Sequence, residues 1–342
     1  MLRLHSRIPS LTGALGLLVM FLSGTALAQY KMVKLDSNLP GIAKHQDTLL
    51  INAWGLAYGP SSPFWISDAG DGWSTTYNGQ GVLESARIIV PSAGSGAGSP
   101  TGIVYNGSSE FNVEGWSSIF LFATLDGTIS GWSPISNPTH AIIAVNNSGS
   151  GAVYTGLAIT SKPSGNFIFA ADLANNKVDV YDGSFGFVTS FTDPGLPAGW
   201  GPFGIQDING KVYVAFAPAS GHKGGIVDVF SEAGVMLKHH FIHGAPLNQP
   251  WGFALAPANF GALSNALLIS NNTNSGTING FDAKTGKFIA TITNSKGPIV
   301  IDQLWGIEFG GGTAANGRTN RLYFTAGPKN NLDGTFGEIE TE

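Results

Sequence analysis

Aspartate and asparagine side chains follow apolar segments at several points of this sequence, and their oxygens could bind a metal ion. Four of them form a candidate set: Asp68, Asp172, Asn271 and Asp302. Carboxylate and amide oxygens suit Ca²⁺, a hard cation that takes about six to eight oxygen ligands. Such an ion would act as a Lewis acid in the hydrolysis of an ester or a lactone. One interpretation is therefore a Ca²⁺-dependent hydrolase or lactonase.

The same acidic residues also suit a structural role, which the sequence favours. Asp71-Gly72 and Asp126-Gly127 are common turn pairs, and an Asp at a strand end accepts hydrogen bonds from backbone N–H groups of its own turn. No spacing singles out a catalytic base. The Gly-x-Ser-x-Gly and His-Glu-x-x-His signatures of familiar hydrolases do not occur in the sequence.

Three tryptophans, Trp54, Trp251 and Trp305, each precede a glycine. With Asn52 and Gln303 they could form a ligand-binding floor, because an indole offers a broad apolar face and one hydrogen-bond donor. The alternative is that they pack between structural units, where glycine lets the neighbouring backbone approach closely. Packing is the favoured interpretation, and the five residues remain the candidate ligand site.

A third group is the segment His239-His240-Phe241-Ile242-His243. In an extended strand His239 and His243 would point to the same side about 13 Å apart at 3.3 Å per residue, too far for one ion. The pattern therefore predicts an exposed rim rather than a metal site.

The element that must position these residues is a repeat of about 50 residues, the period of a four-stranded propeller blade. Each unit begins with glycine followed by an apolar residue, and a short apolar run typical of a buried strand comes next. The glycines of the six units are Gly55, Gly102, Gly156, Gly204, Gly252 and Gly306. The sequence predicts an all-β, six-bladed β-propeller of four-stranded blades, with seven blades as the alternative.

The sixth unit is too short for a fourth strand, whereas residues 30–36 alternate apolar residues with lysines ahead of the first unit. We expect this N-terminal segment to form the outer strand of the last blade and so to close the ring. The loops entering each first strand and leaving each second strand would then meet at one mouth of the central channel, where functional residues are expected.

Residues 1–28 read as a secretory signal peptide, with Arg3 and Arg7 before an apolar stretch and an Ala-x-Ala end at Ala28. The stretch is too short for a membrane anchor, so residues 29–342 are expected to be one propeller domain, exported to the periplasm or the medium as a monomer. The chain has no cysteine and a net charge of −5 with scattered basic residues. This excludes disulfides and argues against nucleic-acid binding.

Several segments resemble a family of exported bacterial proteins of unknown function, some with a PEP-CTERM sorting tail. They include Trp54-Gly55-Leu56-Ala57, Asp126-Gly127-Thr128-Ile129-Ser130-Gly131-Trp132 and Asp193-Pro194-Gly195-Leu196-Pro197-Ala198-Gly199. The resemblance implies a six-bladed propeller and carries no activity with it. The expected function is therefore a module that binds a protein, a glycan or a small molecule, with the metal-dependent hydrolase as the alternative.

Overall fold

A computed structural model describes residues 29–162 and 165–342. The predicted signal peptide lies outside the described residues and stays a prediction. Within the described residues nearly all regular structure is β. The exceptions are a four-residue α-helix, Pro328–Asn331, and the short 3₁₀ segments Ser148–Ser150 and Gly261–Leu263. No helix in this part of the chain has the length and apolarity needed to cross a bilayer.

The strands form six antiparallel blades. Blade 1 contains Ala53–Ala57, Phe64–Asp68, Trp73–Tyr77 and Ile88–Ile89, and blade 2 contains Pro100–Tyr105, Phe120–Thr124, Thr128–Trp132 and Ile142–Asn146. Blade 3 contains Tyr154–Lys162, Gly165–Asp172, Lys177–Asp182 and Phe187–Phe191, and blade 4 contains Trp200–Asp207, Lys211–Pro218, Ile226–Ser231 and Met236–His243. Blade 5 contains Pro250–Leu255, Ala266–Asn271, Ile278–Asp282 and Phe288–Thr291.

Blade 6 contains Leu304–Phe309, Leu322–Ala326, Thr335–Thr341 and, as its outer strand, Tyr30–Ser37. The last two pair antiparallel from Tyr30 opposite Thr341 to Ser37 opposite Thr335. The Tyr30 hydroxyl, buried against blade 5, donates a hydrogen bond to the Phe260 carbonyl at 2.9 Å. The predicted ring closure is confirmed. The two-residue strand His45–Gln46 extends this sheet, and two further two-stranded ribbons pair Asn112–Val113 with Trp116–Ser117 and Thr293–Asn294 with Gly297–Pro298.

The first strand of each blade contacts the first strand of the next, and blade 6 contacts blade 1. The repeated glycines lie at these contacts. A Cβ atom on Gly204 would collide with the Trp251 carbonyl oxygen of the next blade, and one on Gly252 would lie 2.7 Å from the Trp305 carbonyl oxygen. Hydroxyl groups also join blades, as where Ser270 donates to the Trp305 carbonyl at 2.7 Å. The predicted six-bladed propeller is confirmed, and the repeat exists because the inner strands pack backbone to backbone.

The outer strand of blade 1 has only two residues, Ile88–Ile89. The reason is that the Ile89 backbone turns toward blade 2, where its N–H donates to the Thr139 carbonyl at 2.9 Å and its carbonyl accepts from Ala141 at 2.9 Å.

Candidate functional site

The six inner strands surround a narrow central channel. It is lined by glycines and apolar side chains of every blade, among them Leu56, Ile103, Leu157 and Ile205. Its enclosed cavity of about 40 Å³ has room for a few water molecules, since one water needs roughly 10–15 Å³ by the same measure. A sugar or a lactone does not fit inside the channel, so any larger ligand must sit at a mouth.

Tryptophans fill one end of the channel. Trp54 and Trp305 stack with ring centroids 3.5 Å apart, and Trp251 meets both edge to face at 6.4 and 5.9 Å. Phe203 packs against Trp305 in the same cluster. Two of the indoles are held by hydrogen bonds: the Trp305 N–H donates to the Asn52 side-chain oxygen at 3.1 Å, and the Trp251 N–H to the Thr155 carbonyl at 2.9 Å.

The structure thus brings together four of the five residues of the candidate ligand site. Gln303 lies apart, with its side-chain amide donating to Asn274 at 2.6 Å. Trp54 and Trp305 are only 5% and 2% exposed, so neither offers an open face, while Trp251 is half-buried. The tryptophans pack as the favoured interpretation expected, but they fill the channel rather than lie between blades.

Among the described residues, the three aspartates of the candidate Ca²⁺ set do not form one cluster of ligand atoms. Asp68 is fully buried and accepts a hydrogen bond from the Thr75 hydroxyl at 2.7 Å. Asp172 accepts from the backbone of Val153 at 3.0 Å and from the side chain of Asn175 at 2.7 Å. Burial raises the pKa of Asp68 well above its usual range, which favours the neutral acid over a metal-binding carboxylate.

The remaining two members bond to neighbouring loops. The Asn271 side-chain oxygen accepts from the Asn248 backbone at 3.0 Å, and Asp302 accepts from the Lys329 backbone at 2.9 Å. Within the described residues Asp68, Asp172 and Asp302 do not form a cluster of metal-ligating atoms. The geometry therefore gives the Ca²⁺ hypothesis no support, because the three carboxyl groups do not cluster and each side chain bonds to a different segment of the chain.

Glu308 lies toward the opposite end of the channel from the tryptophans. Its side chain borders both the channel and a mouth of about 200 Å³ that is also lined by Tyr58, Gln206, Phe253 and Phe309. Among the described residues no side chain or backbone group donates a hydrogen bond to its carboxyl, and no basic residue pairs with it. The Glu308 side chain is half-buried, and a carboxyl group withdrawn from water without a counter-charge is costly to ionise.

Burial accordingly raises the pKa of Glu308 to about 8. The pKa of the Tyr58 hydroxyl is also raised, first by burial and then by the charge of Glu308. A carboxyl group displaced this far from its usual range, at a mouth of a channel, is typical of a functional site.

The sequence interpretation did not select Glu308, although a signal was present. Glu308 is the residue after the apolar position in the sixth repeat, where the other repeats have Ala57, Val104, Ala158, Gln206 and Ala254. Glu308 is therefore the only charged residue at this position of the six repeats, and this difference could have singled it out. Gln206, the one other polar residue at this position, lines the same mouth.

The histidine segment also differs from the prediction. His240 has a left-handed backbone, with φ of 47°, and the strand register shifts between Lys238 and Ile242. This bulge places the rings of His239 and His240 on one side, stacked with centroids 3.8 Å apart. A regular strand would have directed these neighbours to opposite faces, which is why the prediction considered only His239 with His243.

No family model matches the sequence. Uncharacterized proteins of Acanthamoeba polyphaga mimivirus are similar to it. One is 29% identical over 97% of this chain and 86% of its own length, and another is 31% identical over 69% of this chain and 47% of its own. These curated relatives are viral, so the expected membership of an exported bacterial family was wrong.

Solved structures similar to this chain include two enzymes. A gluconolactonase from Xanthomonas campestris has a TM-score of 0.55 and 13% identity, over 92% of this chain and 91% of its own. A virginiamycin B lyase from Staphylococcus aureus has a TM-score of 0.54 and 13% identity, over 91% and 99%. At this identity the likeness shows the fold alone.

Proposed function

We propose that this propeller is a binding module for a small organic cation, which it holds at the mouth beside Glu308. The observation that carries the proposal is a carboxyl group without a counter-charge where a narrow channel opens into a mouth. An ammonium group placed beside Glu308 would supply the missing charge and would make ionisation of the carboxyl favourable.

The surroundings of Glu308 suit such a ligand. Tyr58, Phe253, Leu255 and Phe309 line the mouth; Tyr58 and Phe309 are half-buried, and Phe253 is buried. Aromatic rings attract cations through their negative faces, and apolar walls favour the hydrocarbon part of an organic amine. A cavity of about 200 Å³ is large enough for a small ligand and too small for a folded partner.

Binding should release a proton. At pH 7 the Glu308 carboxyl is mostly protonated, since its pKa is about 8, and an ammonium ligand requires the carboxylate. Calorimetric titration with benzylammonium in buffers of different ionisation enthalpy should therefore show close to one proton released per ligand bound. Affinity should rise between pH 6 and pH 8, and the neutral isostere benzyl alcohol should bind more weakly without proton release.

Glu308→Gln keeps the shape of the side chain and removes the titration. It should abolish the proton release and lower the affinity for benzylammonium at least tenfold at pH 8. Glu114→Gln, which removes an exposed carboxyl elsewhere, is the matched control and should bind as the parent does. Equal binding of the amine and the alcohol, or unchanged binding by Glu308→Gln, would contradict the proposal.

The hydrolase alternative has weaker support, because the aspartates chosen for its metal centre do not form one cluster of ligand atoms among the described residues. Metal analysis of the purified protein tests it directly. Stoichiometric Ca²⁺ that is lost in Asp172→Ala would support the Ca²⁺-dependent hydrolase. Absence of a thermal shift with Ca²⁺ would contradict it.

Export remains part of the proposal, and it rests on the leader-like pattern of residues 1–28. Mass spectrometry of protein recovered from the medium of an expressing culture tests it. A mature chain that begins at Gln29 is the expected result, and an intact N-terminus on a retained protein would contradict it.

A further inference from the structure

A second group of titratable side chains lies on the outer edge of blade 4, far along the sheet from the channel. Asp193 belongs to the loop that joins blade 3 to blade 4, and His239 and His240 belong to the bulged outer strand. One ligand atom from each of the three residues lies within 4.8 Å of the others, the one such group among the described His, Asp and Glu residues.

The distances within the group match a metal site. The His239 Nε2 atom lies 3.3 Å from one Asp193 oxygen, and the His240 Nε2 atom lies 3.1 Å from the other. Ligands about 2.0–2.1 Å from a tetrahedral Zn²⁺ lie about 3.3–3.4 Å apart. Both histidine–aspartate pairs therefore have nearly the spacing that one ion requires, and one ligand atom from each of the three residues lies within 4.8 Å of the others.

Asp228 adds an independent observation. It is fully buried beneath the group, one carboxyl oxygen accepts a hydrogen bond from the His240 backbone, and the other is buried without a hydrogen-bond partner. The carboxylate of Asp193 lies close to that of Asp228. An unpartnered buried carboxyl next to a second carboxylate lacks a positive charge, which a divalent cation would provide.

The backbone is shaped to hold the group. The Gly195 N–H donates to Asp193 at 2.7 Å and fixes the carboxylate. A Cβ atom on Gly195 would lie 2.8 Å from the His239 Nε2 atom, so only glycine leaves space at the ligand nitrogen. The side chains of His239 and His240 remain 50% and 30% exposed, which gives an ion a path from solvent.

We propose that Asp193, His239 and His240 form a binding site for one Zn²⁺-class ion, with Asp228 as its supporting carboxylate. Two imidazoles with a carboxylate suit Zn²⁺ and related borderline ions better than Ca²⁺, which prefers oxygen alone. The ion would join the loop after blade 3 to the outer strand of blade 4. The site is independent of the proposed cation-binding mouth.

The test uses the full chain without a histidine tag, first stripped with a chelator. Titration with Zn²⁺ should show one ion bound per chain, and Co²⁺ should give the visible absorption of a tetrahedral site. Zn²⁺ should also raise the melting temperature of the parent protein.

The variant His239→Ala/His240→Ala should weaken Zn²⁺ binding at least 100-fold and remove the thermal shift. Both side chains are partly exposed, so the variant should fold, and its melting in chelator should match the parent's. His222→Ala, an exposed histidine on another loop, is the matched control and should bind as the parent does. Absence of micromolar Zn²⁺ binding by the parent, or equal binding by the double variant, would overturn the proposal and leave an Asp–His hydrogen-bonded network.

Discussion

Replacement of Glu308 by glutamine should change how the stability of the propeller depends on pH. The folded chain holds the Glu308 proton up to a pKa of about 8, whereas the ordinary value is 4.5. Between these values the folded state binds more protons than the unfolded state, so the free energy of unfolding falls as the pH rises. Glutamine cannot titrate, and Glu308→Gln should lack this contribution.

The magnitude follows from the two pKa values. Each tenfold change in proton affinity corresponds to about 1.4 kcal/mol, which sets an upper bound of roughly 5 kcal/mol between pH 4 and pH 9. The carboxyl borders an open mouth, and water there reduces the penalty. We expect the parent to be about as stable as Glu308→Gln at pH 5 and roughly 2 kcal/mol less stable at pH 9.

Urea unfolding at several pH values measures the effect, with the slope against urea checked for constancy. The quantity to follow is the difference in the free energy of unfolding between the parent and Glu308→Gln. Burial also raises the pKa of Asp36 and Asp228 to about 7 and that of Asp71 to about 6, and these contributions cancel in the difference. A difference that stays constant from pH 5 to pH 9 would refute the assignment of a raised pKa to Glu308.

Two further predictions concern the ring itself. Tyr30→Phe removes the hydroxyl that bonds Phe260 and leaves the Leu263 N–H without its partner, so it should destabilise the protein by roughly 1–3 kcal/mol; unchanged melting would mean that the closing strand is not anchored there. Gly204→Ala forces a methyl group against the next blade and should cost roughly 1–3 kcal/mol or more. Gly149→Ala, where nothing lies within 4 Å, is its control, and equal melting of the two variants would contradict the packing argument.

Much of the fold was predictable because one physical constraint repeats. Inner strands approach closely only where a residue lacks a Cβ atom, so Gly204 and Gly252 recur at the same place in successive blades. The closing role of residues 30–36 followed from a missing strand in the last repeat. The short outer strand of blade 1 was not predictable, since it depends on pairing with Thr139 in another blade.

The candidate sites were less accessible to sequence reasoning for two reasons. The set of Asp68, Asp172, Asn271 and Asp302 assumed that side chains at strand ends reach toward the axis, but each finds hydrogen-bond donors nearby. The group at Asp193 and His240 depends on a bulge in which His240 has a left-handed backbone. Neither the composition nor the spacing of the sequence predicts that conformation.

The tryptophan cluster limits the access of solvent to Glu308 from the other end of the channel. Trp54 and Trp305 close one end of the channel with stacked rings, and the narrow cavity beyond them admits few water molecules. Solvent therefore reaches Glu308 mainly from its own mouth, and this limited access to water keeps its carboxyl protonated near neutral pH. A ligand that enters this mouth meets an acid that can donate a hydrogen bond or give up its proton to accept a cation.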